Sequence, residues 1–252
     1  MKKAVFLSML ISAIVGSAVA QDEVPQQTLS LADSLYRNYQ EKEALERYNA
    51  ILKQNPAHYK SLWRSAFLFV RIGYRFDSEE RQKQYYEKGI ARARKAMAVD
   101  STDTNSNFVL AAALGRKAMI SGPNERVSAS REIKKYAERA IASDSTHAGA
   151  WHVLGRLHFK LANLGFAERL AANTLFGGIP DASEEKAVQF LEKAVELEPD
   201  LIIYYFDLAR VYRHVGKIDK AADTCRQALG LEPITPDDDG FQQKCRNLLT
   251  NL

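Results

Sequence analysis

Beyond residue 20 the sequence holds no apolar stretch long enough to span a bilayer, which takes about 20 consecutive residues. It is equally short of catalytic signatures. No G-x-S-x-G is present, no Cys has a His at motif spacing, and Gly177-Gly178 lacks both the Lys-Ser/Thr that completes a phosphate loop and the strand that precedes one. Of the five histidines, His147, His152 and His158 are close in sequence. Their spacings place them on different helical faces, not at the i, i+4 positions of an H-E-x-x-H zinc site. No catalytic residue, cofactor or metal ligand is therefore named, and the reading turns toward binding.

The chain also lacks a large charge of one sign. Lys2 and Lys3 precede an apolar run from Ala4 to Val15, and Ala18-Val19-Ala20 stands just before the polar Gln21-Asp22-Glu23. A basic start, a short apolar core and a small-residue site make a cleavable secretory signal over residues 1–20. Cleavage takes two lysines, so 35 basic residues become 33 against 31 acidic and the net charge falls from +4 to +2. A nucleic-acid partner loses its main support. The expected product is periplasmic or secreted, begins at Gln21 with a flexible lead-in over 21–27, and has no stable membrane insertion.

What is present is a repeat. Tyr205-x2-Leu208-Ala209-x2-Tyr212-x8-Ala221-x3-Cys225-x2-Ala228-x4-Pro233 has the large and small residues of a 34-residue tetratricopeptide (TPR) unit. Four more copies precede it. They begin with Thr28-x2-Leu31-Ala32, Leu62-x2-Ser65-Ala66, Asn107-x2-Leu110-Ala111 and Trp151-x2-Leu154-Gly155. Units two and three are over length, and unit four carries 20 extra residues. Asp77-Ser78-Glu79-Glu80 starts a long helix in unit two, and Ser121-Gly122-Pro123-Asn124 is a turn in unit three. In unit four extra helix is expected from Leu161 to Phe176, broken by Gly177-Gly178-Ile179-Pro180-Asp181. After Pro233, Asp237-Asp238-Asp239 is placed to cap a last helix within 236–252. The predicted fold is all-α: a TPR-like solenoid of about five helix pairs over 28–235 plus a C-terminal capping helix.

In TPR geometry, positions 2, 5, 9, 12 and 13 of each first helix face the concave groove. Position 13 holds Arg37, Arg71, Arg116, Lys160 and His214. Arg156 and Arg210 take position 9, Arg213 position 12 and Lys60 position 2, while Asp33 is the one acid at these places. Position 5 adds Leu29, Trp63, Phe108, His152 and Phe206. A basic row beside an aromatic row is the composition of a peptide-binding surface. The expected partner is a protein or peptide, with an acidic or carboxylate-bearing segment in the groove. The competing account gives the cations to helix C-termini and the aromatics to the core.

Cys225 and Cys245 sit on the last repeat and the capping helix. Export to an oxidising compartment permits a disulfide between them, and burial as two small apolar thiols is the other reading.

The run Trp151-His152-Val153-Leu154-Gly155-Arg156, then Glu168-Arg169, Leu175-Phe176-Gly177, Pro180, Glu185, Ala187, Phe190-Leu191, Lys193-Ala194 and Pro199, resembles the regulator of microtubule dynamics family. The resemblance includes the long insertion and is most specific over residues 125–220. It implies a TPR-like adaptor linked to microtubules and organelle membranes. The export signal departs from that setting, so protein binding is the part that carries over. A self-associating structural component of a cell-envelope assembly is the alternative.

Overall fold

The computed structural model describes residues 26–175, 177–178 and 182–252. The expected signal segment and most of the expected lead-in lie outside them. Among the described residues there are twelve helices and no strand. α1 (Gln26–Arg37) and α2 (Glu41–Gln54) form the first unit, α3 (Tyr59–Tyr74) and α4 (Glu79–Val99) the second, and α5 (Thr104–Met119) and α6 (Pro123–Ser143) the third. α7 (Ala148–Ala162) and α9 (Glu184–Leu197) make the fourth, with α8 (Phe166–Leu175) inserted. α10 (Ile202–His214) and α11 (Ile218–Gly230) make the fifth, and α12 (Asp238–Thr250) ends the array.

Local chemistry sets the helix ends. Ser78 accepts from the Arg81 amide at 3.4 Å, with Glu79 and Glu80 in the first turn of the 21-residue α4. Pro123 opens α6, where a missing N–H costs nothing. Ser183 caps α9 through the Lys186 amide. Unit four departs from the expected single extension. The chain breaks at Asn163-Leu164-Gly165 and restarts as α8, because Glu168 turns back to accept from the Gly165 amide at 2.8 Å.

Small residues set the helix spacing. Ala32, Ala66, Ala111 and Ala209 are fully buried at one equivalent place in four units, and Gly155 holds it in the fourth. A Cβ on Gly155 would stand 2.6 Å from Leu191 Cγ, so α7 and α9 approach as closely as glycine allows. Gly155→Ala is expected to cost about 1–3 kcal/mol by overpacking, read as a lower urea midpoint. An unchanged midpoint would mean that Leu191 moves aside freely.

At the C-terminal end Cys225 and Cys245 lie fully buried as free thiols, the second of the two readings, and the expected cap of α12 is corrected. Asp237 gives no side-chain cap to α12. Asp238 braces the turn, accepting from the Ile234 and Thr235 amides at 2.9 and 2.7 Å, and Asp237 is left to reach across the molecule.

Candidate functional site

The open groove expected of a short TPR array is bridged. Arg75, just past α3, donates from Nε and Nη2 to the two carboxylate oxygens of Asp237 at 2.7 and 2.8 Å. Tyr74 stacks on Phe241 of α12 with centroids 6.2 Å apart and planes 4° from parallel, and Lys244 Nζ donates to the Tyr74 hydroxyl at 3.0 Å. This clasp between the second unit and the cap is made by side chains alone. Behind it lies a cavity of about 820 Å³.

Its walls come from the first helix of every unit. Trp63, Arg71, Phe108, Arg116, His152, Arg156, Lys160 and Arg210 all line it, as the groove positions predict. Phe206 lines a second, smaller cavity of about 350 Å³. Lys60 lies on neither wall and pairs with Asp33 at 2.5 Å. Arg213 is exposed and lines neither cavity, so position 12 turns outward in α10. The aromatic row divides. Phe108 is buried against Phe67, whereas Trp63 and Phe206 are half-buried, meeting Tyr36 and Phe241 edge-on and tilted.

The charge contrast is smaller than the groove positions imply, because carboxylates arrive from other places. Each of four buried acids is shared by two cations. Asp33 takes Lys60 and Arg64, Glu41 takes Arg71 and Arg75, Glu168 takes Arg126 and Lys160, and Asp207 takes Arg156 and Arg210. Glu41 opens α2 and Glu168 sits in the inserted α8, so neither is visible to a count confined to first helices. Asp207 is one step from such a position, and its spacing of three from Arg210 is the signal that marks it. Two cations per acid leave the inner surface positive. Eight basic side chains line the large cavity against Glu198, Asp207 and Asp237.

Asp207 is the hub. Burial raises its carboxyl pKa, but Arg156, the hydrogen bond from His152 and Arg210 outweigh that and hold it well below the usual carboxylate range. His152 is pushed down, chiefly by burial, and is a neutral imidazole donating Nε2–H to Asp207 at 2.9 Å. Its neighbour His147 caps α7 through the Ala150 amide, and His158 packs edge-on against Phe190. Arg116 has no carboxylate within ion-pair distance among the described residues. Its guanidinium lies 4.2 Å from the Tyr74 ring centroid. Burial, then repulsion from Arg156, lowers it to about 10, so it stays charged at neutral pH.

The helix pairs, the small residues at their crossings and an inner surface built from first helices define a TPR-like helical-repeat protein, a class that presents concave surfaces to other molecules. A thermophilic TPR protein of Thermus thermophilus has this fold with a TM-score of 0.61 at 20% identity, over 89% of this chain and 98% of that one. The family model for regulator of microtubule dynamics protein 1-3 matches residues 28–252, and the chain belongs to that family. Regulator of microtubule dynamics protein 3 of Rattus norvegicus is 25% identical over 98% of this chain and 54% of its own length. Protein 2 of Bos taurus is 25% identical over 76% of this chain and 47% of its own. The chain thus spans about half the length of the curated relatives it matches. Among the described residues no helix is long and apolar enough to cross a membrane.

Proposed function

We propose that this chain is a periplasmic or secreted, non-enzymatic interaction scaffold that holds an acidic or carboxylate-bearing polypeptide segment on its inner surface. The observation that carries the reading is the repeated sharing of one carboxylate between two cations, with Arg116 left without an acid. Arg156 and Arg210, which converge from adjacent units, serve chiefly to hold Asp207. Among the described residues Arg116 and the more exposed Arg37 line the large cavity without a carboxylate at ion-pair distance, and Arg116 is the more enclosed of the two. A carboxylate brought to it would form a charge-assisted bond in surroundings that screen little.

The test uses the mature chain, beginning at Gln21, as bait in envelope extract. Arg116→Glu is expected to lose the captured polypeptide, and added salt to weaken capture by the parent. Equal capture by the variant would move the binding surface elsewhere. The second reading, self-association in an envelope assembly, draws on α8, where Phe166 is 84% exposed and Leu170 lies one turn on. A dimer in sedimentation that Phe166→Asp dissolves would favour it.

A further inference from the structure

The smaller cavity has a chemistry of its own. It shares Arg116, Arg156, Arg210 and Asp207 with the large cavity, and adds Tyr86, Phe206 and Lys244. Tyr86 is 2% exposed, and its hydroxyl makes no hydrogen bond among the described residues. The hydroxyl is not among the fully enclosed unpaired atoms, and Tyr86 lines the cavity, so it is open to an acceptor brought by a ligand. Arg116 and Arg156 both lie near enough to Tyr86 to oppose the rise that burial imposes on its pKa. A hydroxyl and a guanidinium without an acid therefore line one small space, with the Arg156 and Arg210 guanidiniums beside them.

We propose that this cavity is a binding site for an aromatic carboxylate, either a free aromatic acid or the C-terminal aromatic residue of a polypeptide. The inference rests on the reading of the inner surface as the binding surface and names its subsite. The Arg116 fork matches a carboxylate, and the Tyr86 O–H donates to the same group. Arg116, Arg156, Arg210 and Lys244 against Asp207 leave this wall positive, which suits an anion. The other walls fit a ring. Phe206 and Phe241 lie 5.7 Å apart and tilted by 38°, Tyr74 stacks on Phe241, and Met119, Ile120 and Ile203 are apolar. A volume of about 350 Å³ is near the small end of ligand sites, which suits one ring and its acid.

The test is calorimetry on the mature chain with N-acetylphenylalanine, its amide, hexanoate, and a hexapeptide ending in Phe as acid or amide. The aromatic acids are expected to bind, with the amides and hexanoate about tenfold or more weaker. Tyr86→Phe keeps the ring and its packing and should weaken the acid about fivefold, and Arg116→Gln about tenfold or more. Binding of both acids means that ring and carboxylate suffice, while binding of the peptide alone assigns the site to a chain end. The proposal is overturned if acid and amide bind alike, if hexanoate matches the aromatic acid, or if both variants bind as the parent does. Failure of every probe, with Arg116-dependent capture from extract retained, removes this subsite and leaves the scaffold reading. Capture that ignores Arg116 while the acids still bind removes the scaffold reading and leaves the site.

Discussion

Asp207→Ala is expected to lower the stability of the fold by about 3–5 kcal/mol, the range for breaking a buried ion pair by removing one member. Its carboxylate lies 3.6 Å from Arg156 and 3.2 Å from Arg210 and accepts from His152. Without it, the Arg156 and Arg210 guanidiniums lose their shared carboxylate, and the buried imidazole N–H loses its acceptor. The same group gives a pH signature. Its folded pKa is depressed, so its contribution is complete above the unfolded value of about 4 and is lost as pH falls through the lower folded value. Urea unfolding at pH 7 and again near pH 3 should therefore show the gap between parent and variant narrowing in acid. A gap of the same size at both pH values would mean that Asp207 acts by its shape and not its charge.

Phe241→Ala is expected to have an effect of the same order, about 3–5 kcal/mol for deleting a buried ring, with a change of shape besides. Phe241 is 5% exposed and packs in the core formed by α9 to α12 while touching Tyr74 of α3 from the other end of the array. Arg75–Asp237 and the Lys244–Tyr74 hydrogen bond would then bridge the ends, and polar contacts that are partly open to water contribute little by themselves. The radius of gyration from X-ray scattering should rise, and amide exchange in α12 should quicken. A variant as compact and as protected as the parent would mean that the clasp does not need the ring.

The repeat units are legible because TPR packing depends on residue size at fixed spacing, and size is written in the sequence. Spacing alone marks Ala32, Ala66, Ala111, Gly155 and Ala209 as crossing points. The caps at Ser78 and Ser183 are equally plain, since each acts on an amide three residues away. The break at Gly165 is not, because Leu161 to Phe176 reads as one apolar-periodic run. Only the return of the Glu168 carboxylate to the Gly165 amide interrupts it.

The inner surface is legible in its cations and not in their neutralisation. Counting along first helices finds eight fixed positive charges facing Asp33, but Glu41 and Glu168 reach that surface from α2 and α8, over sequence distances of about 30 and 8 residues from their partners. The disulfide question depends likewise on how α12 seats against α11, which brings two thiols into contact without joining them.

The sequence by itself determined the helix pairs, their order and the face each turns inward, because these follow from spacing within about 34 residues. Tertiary structure alone decided that the ends meet. Small rotations between units add along the array, and their sum brings Tyr74 and Arg75 within reach of Asp237, Phe241 and Lys244, more than 160 residues away. No local pattern encodes that sum, and it turns a groove into a cavity, with Arg116 and Tyr86 lining the smaller one beside it.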